Sequence, residues 1–586
     1  MPQIDIKPEL MQDPALLDDR EEVNKLCSEQ QVIINDLMSQ MAILKEQVEY
    51  LMNRLYAPKK ESAQIDGQLS LFNEFEMEGD PDAPEPVFTD CDDENSDVSD
   101  GRKTKKPRKP KTPRAEILAS LPVEIVPVTL DEKERVCPNC GQEMTVIGHE
   151  VIREELHIEP MQLKRVQYVA EVYACKPCAD EGDKDKPVVI KPKAPAPLMK
   201  HSLAAPSIVA FVIAAKFDMA LTLYRLERAF EQAGAAIPRS TLAKWVIFCT
   251  MHYLKPVYDL MVKEFKARNI AHADETPCQV LHEKDKPPQS KSYMWIFLSG
   301  DDGGPPIVIY KYDPSRAHTV PEEFLADFNG YLHTDGYDGY NCLEGHVIRC
   351  VCFAHVRRKW FEAIPVDRHK TMTRRSNELE ERDEEYMASV DMNDDKDALL
   401  PAEKGYLFCQ VLFQLEKKWK DLAPDERKAK RERYARPVLD KYWQWIDTLS
   451  PLNGSKLDKA INYSKENHER LENYLLDGRC SLSNNAAERK AKSYVIGRKN
   501  FLFHDTPEGA EASAIAYSMV ETAKDNGLDA FKYLNYVFSK MPGILDEPEG
   551  IKGLLPWSPQ VQEECHAPVG RKDHPRSKGK ELPTTE

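Results

Sequence analysis

At 586 residues and 41% hydrophobic, the chain has apolar material for several domains and at least one sizeable core. It holds no run of about 18 apolar residues, and its start, MPQIDIKPELMQDPALLDDREEV, lacks the basic and apolar parts of a signal peptide. This argues against membrane-spanning and secreted classes and predicts a cytoplasmic protein whose 14 cysteines are thiols or metal ligands rather than disulfides. The formal net charge of −18 argues against a nucleic-acid partner only until its distribution is read: residues 74–100 hold twelve acids and no base, and GRKTKKPRKPKTPR, residues 101–114, holds eight bases and no acid.

In chain order, the first element is a heptad seam. Ile34, Met41, Val48 and Leu55 recur every seven residues with Leu37, Leu44 and Leu51 between them, which predicts a coiled coil over 20–57 that ends at Pro58. Such a narrow stripe pairs with a second copy of the chain or packs on its own globular part. Residues 58–130, with adjacent acidic and basic Pro-rich blocks, read as a disordered linker; the basic block is a solvated tether or a non-specific phosphate contact.

Over 131–182, VCPNCGQEM supplies Cys137 and Cys140, and YACKPCAD supplies Cys175 and Cys178. Two CxxC knuckles around a strand-like segment predict a structural zinc ribbon with four thiolate ligands and no open position for catalysis. His149 and His157 lie between the knuckles as the less favoured ligands. Residues 197–262 read as helical, and LYRLERAFEQAGAAIPRSTLAKWVIF breaks at Gly234 between two helices. That spacing fits a helix-turn-helix whose second helix presents Arg239, Ser240, Thr241 and Lys244 to DNA, or two packed helices without DNA contact.

The period then becomes strand-like. NIAHADETPCQVL, SYMWIFLSG and PPIVIYKYD predict three antiparallel strands; PEEFLADF a short helix; YLHTDGYDGYN and HVIRCVCFA two more strands; and AHVRRKWFEA a helix. The pattern is α/β with a mixed sheet, placing Asp274 near the end of the first strand and Asp335 at the end of the fourth. Taken singly these are a strand-end cap and a turn residue. In SLSNNAAERKAKSYVIGRKNFLF, Glu488 is an ordinary surface acid paired with Lys492, or something sharper. Three converging carboxylates suit hard divalent ions, Mg²⁺ or Mn²⁺, which hold the attacking and leaving oxygens in displacement at phosphorus. The cations about Glu488, Lys492 one turn along the same face foremost, then fit a phosphate backbone, as do Arg498 and Lys499 further along.

These stretches, with QLSLFNE, TDGYDGY, CFAHVRRKWFE and NGLDAFKYL, resemble the bacterial DDE transposases of the insertion sequence 66 family from the coiled coil to about residue 545. The resemblance implies a multidomain α/β protein with a ribonuclease-H-like catalytic core, in parts 265–363 and 481–524, carrying Asp274, Asp335 and Glu488. A helical insertion occupies 364–480, a helical segment 525–545 and a disordered tail 546–586. It implies metal-dependent cleavage and strand transfer at the ends of a mobile element. The partners implied are terminal inverted repeats, target DNA, a second copy through the coiled coil and companion proteins of the same element. The alternative is a catalytically inactive DNA-binding regulator or accessory protein. Ser483 stands where many relatives have Asp, outside the triad. Cys352 and His355 of CFAH are a strand end and helix start, or a support near metal or DNA.

Overall fold

A computed structural model describes residues 196–389 and 399–567, together with residues 30, 162–169, 171, 173–174 and 189–190. The heptad seam, the linker, the four knuckle cysteines and His149 and His157 lie outside the described residues. Tyr173–Ala174 pairs antiparallel with Val189–Ile190. In the strand-like segment between the knuckles, residues 162–169 form neither helix nor strand and Val166, Tyr168 and Val169 are exposed.

The described chain divides into two compact units. One runs from Tyr258 to Ser518 and is built on a five-stranded sheet. Its strands are β1 (Ile270–Gln279), β2 (Lys291–Ser299), β3 (Val308–Asp313), β4 (Tyr331–Thr334) and β5 (Ile348–Val351), in the spatial order β3-β2-β1-β4-β5. The β1–β2 and β2–β3 pairs are antiparallel; β1–β4 and β4–β5 are parallel. In β2, Met294 to Ser299 are all buried, as expected of an inner strand covered on both faces. The parallel pairs need crossovers, which the helix Thr319–Phe324 and the turn Asp338–Leu343 supply. Asp274 sits mid-strand in β1 rather than near its end, because the antiparallel ladder with β2 continues to Gln279.

The other unit comprises the described residues up to Val257 and from Met519. It contains helices α1 (Pro206–Phe217), α2 (Leu223–Gln232) and α3 (Arg239–Cys249). Gly234, at φ +89°, makes the break between α2 and α3. The Glu227 carboxylate of α2 accepts the Arg239 N–H at 3.0 Å, so α2 caps the start of α3. Arg239, Ser240 and Lys244 are exposed and Thr241 is half-buried.

Between the two halves of the sheet unit, the described residues from 364 to 480 form helices joined by turns, with no strand among them. Helix α4 (Phe353–Glu362) packs on α5 (Pro401–Lys418) and α7 (Lys456–Glu466), with α6 (Arg436–Asp447) beside α5. Trp360, Trp419, Leu439, Tyr442 and Tyr474 fill its core. Gly405 is required there, since a Cβ would lie 2.2 Å from the Trp360 ring. A buried chain runs from Trp360 Nε1 to the Tyr442 hydroxyl at 2.9 Å, and from that hydroxyl to Ser464 Oγ at 2.9 Å. After it come α8 (Asn485–Phe501), α9 (Pro507–Asp525) and α10 (Ala530–Ile544).

The expected disordered tail from 546 is corrected by helices Pro548–Lys552 and Pro559–Cys565. Ile551, Leu554, Leu555, Val561 and Cys565 are buried, and the Tyr533 hydroxyl of α10 donates to Leu554 O at 3.0 Å. The Pro and Gly content there marks short helices and turns, not absence of a core. Residues 568–586 lie outside the described residues. Among the described residues no helix is long and apolar enough to cross a membrane.

Candidate active site

The parallel register pairs Ile270 with Tyr331, Ala271 with Leu332 and His272 with His333. Two further steps of that register bring Asp335, the first residue after β4, beside Asp274 of β1. Burial first, then the Glu275, Asp335 and Glu488 carboxylates, push Asp274 well above the usual carboxylate range. All three acids named from the sequence therefore stand within electrostatic reach at one end of β4, although they come from distant parts of the chain.

Each is held by its own neighbours. Asp335 Oδ1 accepts the Tyr337 N–H at 2.9 Å. Its carbonyl accepts from Arg349 Nη2 at 2.9 Å, and the same guanidinium reaches Thr334 Oγ1 and Tyr337 O, each at 2.9 Å. Arg349 is buried in β5 and thus moulds the turn in TDGYDGY. Gly336 is forced by close approach, because a Cβ would sit 2.5 Å from the Tyr463 ring. Beside Asp274, Glu275 is turned away from solvent. It accepts from Arg316 Nε at 2.9 Å and from the Tyr340 hydroxyl at 2.7 Å. Burial, then Asp335, raises its pKa against the opposing pull of Arg316 and Tyr340.

Glu488 lies in the first turn of α8, where the helix dipole favours a negative charge. Its side chain is only 17% exposed, with the Arg358 guanidinium and the His355 ring each 3.9 Å away, both on α4. Glu488 Oε1 and His355 Nδ1 are both buried without a hydrogen-bond partner. That is unlike a solvated surface acid. Burial lowers the His355 pKa despite Glu488 and Asp335, so the ring is neutral and can present a lone pair. Cys352, His355 and Glu488 also form a group able to converge on one ion. The Cys352 thiol, however, is pushed up to about 12 by burial, and its sulfur already accepts the Asn484 N–H at 3.0 Å. It acts as a structural acceptor.

These observations fit a divalent cation. Mutually repelling carboxylates and two orphaned buried atoms facing one another at 3.9 Å are what an oxygen- and nitrogen-ligated ion relieves. The groups that could hold such an ion are Asp274, Asp335 and Glu488, with His355 adjacent.

The start of α8 is fixed to β1 by Asn484. Its Oδ1 meets His272 Nδ1 at 3.0 Å and its Nδ2 donates to Ala273 O at 2.8 Å. His272 stacks on His333, ring centroids 4.4 Å apart, and His333 Nε2 accepts the Ser481 N–H at 2.9 Å. Sequence reasoning missed Asn484, Arg358, Arg349 and Glu275. The Asn pair directly before the alanines was the available sign for the first. Of the proposed phosphate contacts on α8, Lys499 is exposed while Lys492 and Arg498 are half-buried.

The chain is similar to three proteins of Sinorhizobium fredii. It is 27% identical to uncharacterized protein y4hP over 446 residues, 73% of this chain and 75% of that one. It is 26% identical to uncharacterized protein y4jD over 445 residues, 74% and 79% of the two chains. With uncharacterized protein y4qI it shares 26% over 386 residues, 63% and 65% of the two. Family profiles match in four places. Residues 134–179, which include all four knuckle cysteines, match the zinc-finger binding domain of transposase IS66. Residues 518–557 match the IS66 C-terminal element, and residues 43–126 match a profile described as Transposase C of IS166 homeodomain. The longest match, residues 201–512, spans every strand of the five-stranded sheet and all three acids, and its profile is that of the Transposase IS66 family. By these matches the chain belongs to the IS66 transposase family.

Proposed function

We propose that the protein binds the ends of a mobile DNA element and catalyses metal-dependent strand cleavage and strand transfer with Asp274, Asp335 and Glu488, on a core of the ribonuclease-H type. The observation that carries this reading is the buried, unpartnered Glu488 Oε1 beside the raised Asp274. A bound Mg²⁺ or Mn²⁺ supplies positive charge for the attacking and leaving oxygens of a phosphodiester. The protein's own residues do the rest. Asp274 and Asp335 set one side of the site through the β1–β4 register, and α8 delivers Glu488 from the other. His355 offers a neutral nitrogen at its edge. Arg358 balances the acid and faces the phosphate backbone. Lys492, Arg498 and Lys499 on α8 contact phosphates, as do Arg239, Thr241 and Lys244 on α3. A second copy joined through the heptad seam, and companion proteins of the element, complete the assembly.

Metal binding is testable without DNA. The raised pKa of Asp274 means that the folded state holds a proton the unfolded chain has released. Its contribution to stability is therefore present at low pH and lost as pH rises through the folded-state value. At pH 8 without divalent cation, Asp274→Asn is expected to melt above the wild type. Millimolar Mg²⁺ or Mn²⁺ should raise the wild-type melting temperature by about 2 to 4 °C per kcal/mol of binding and leave the variant nearly unmoved. A wild-type melt that ignores both cations sinks the metal site.

The knuckles give an independent result. The purified protein should carry about one zinc per chain, and changing Cys137 and Cys175 together to Ser should abolish it, because two thiolates do not hold the ion tightly. Full zinc in that double variant, by metal analysis, moves the site to His149 or His157.

A further inference from the structure

Helix α8 does not end in the usual way. Leu502 follows it at φ +67° and ψ −54°, and the Phe503 N–H closes a three-residue turn onto Phe501 O at 2.9 Å. This is the rare γ-turn with positive φ, strained for any residue with a Cβ. The turn is nevertheless fixed on both sides. The Leu502 N–H donates to Arg498 O at 2.7 Å, His504 N–H donates to Gln279 O at 2.9 Å, and Leu281 N–H donates to His504 O at 3.0 Å, so the chain after the turn is stitched to the end of β1. His504 is buried beneath it, with Nε2 3.0 Å from the Tyr494 hydroxyl.

What this rigid, strained turn displays is apolar. Leu502 is 64% exposed and Phe503 43% exposed, and Ile496 on the preceding turns of α8 is exposed as well. Single exposed apolar residues need no explanation, but two in succession on a braced γ-turn leave a contiguous apolar tip in water. The end of the helix beside them is basic: Lys499 is exposed and Arg498 is half-buried. An apolar tip within a cationic collar is the chemistry by which proteins enter a base stack, the cations holding phosphates while the side chain separates two bases.

We propose that Leu502 and Phe503 form a wedge that enters the base stack of the duplex DNA on which the acids act. The proposal rests on the DNA-processing reading above. At 1.5 Å per helical residue the tip is about 21 Å along α8 from Glu488, a span of about six base pairs at 3.4 Å each. The opened step therefore lies at most about that far along the duplex from the cleaved phosphate.

The test uses the full chain and short duplexes tiled across the DNA bordering its reading frame, with 2-aminopurine at successive positions. Wild-type binding should raise the fluorescence at one or two adjacent positions. Phe503→Ser with Leu502→Gly should abolish the rise and weaken binding about tenfold, the worth of a stacking side chain. The same double variant should melt no lower than the wild type, since Gly relieves the positive φ. Binding by the wild type with no fluorescence rise overturns the wedge and leaves the transposase reading standing. A rise that persists in the double variant, or a clear loss of melting temperature on Leu502→Gly alone, also overturns it. Failure of the wild type to bind any bordering duplex overturns the transposase reading and the wedge together.

Discussion

Glu488→Gln is expected to lower DNA-end cleavage in Mg²⁺ by on the order of a thousandfold or more while leaving end binding intact. The amide keeps the shape of the acid in its 17%-exposed niche near His355 and Arg358 but withdraws the charge that attracts a hard cation. Binding should hold or tighten, because one negative charge facing phosphates is gone. Asp274→Asn and Asp335→Asn should behave alike, since the three acids are proposed to serve one site. The measurement is cleavage of a labelled duplex, with companion proteins of the element supplied, beside a titration at fixed salt. If Glu488 were only an ion-pair partner of Arg358, its loss would cost ~1 kcal/mol of stability or less and leave cleavage nearly unchanged. Near-normal cleavage by the Gln variant would dismiss the triad.

The largest stability effect is expected at Arg431→Met. This guanidinium is fully buried in the helical insertion. It bonds both Glu416 carboxylate oxygens at 2.7 Å and the carbonyls of Tyr474, Asp477 and Cys480 at 2.8, 2.9 and 2.8 Å. Removing it strands a mostly buried carboxylate and three carbonyls, a loss of about 3 to 5 kcal/mol. Lysine should rescue little, because a point charge cannot replace a planar fork. The carbonyls belong to the segment that leads into α8. Hydrogen exchange of the amides from 474 to 482 should therefore quicken in the variant well before global unfolding, and cleavage should fall with it. Unchanged protection of those amides would show that the fork does not brace the segment.

Much of the sheet was legible because its strands are long apolar or alternating runs between Gly, Asp and Pro, and because a parallel fourth strand has few places to go. The position of Asp274 was misjudged by several residues. Strand ends depend on partners, and β1 outlasts its parallel neighbour by following β2 to Gln279. The acids were legible as residue types in a pattern, whereas the groups that hold them were not. Asn484 acts through Ala273, 211 residues away, and Arg349 works through backbone carbonyls that carry no sequence mark. The segment after residue 546 was misread because its five buried apolar side chains sit in short runs whose partners only packing reveals.

The Asn484 clasp also sets a clock on synthesis. Asp274 and Asp335 leave the ribosome with their strand, but the acid that completes the set arrives only after the clasp residue, 211 positions beyond the carbonyl it grips. At ordinary translation speeds that gap is about 10 to 40 s. Over its later part, the roughly 150 positions from Asp335 to Glu488, the nascent chain holds the first two acids without the third. On the proposed function, a message truncated in the insertion yields a chain with the α3 cations, Asp274 and Asp335 but no Glu488, expected to occupy DNA ends without cutting them. Under that reading, broken copies of the gene would compete with intact ones.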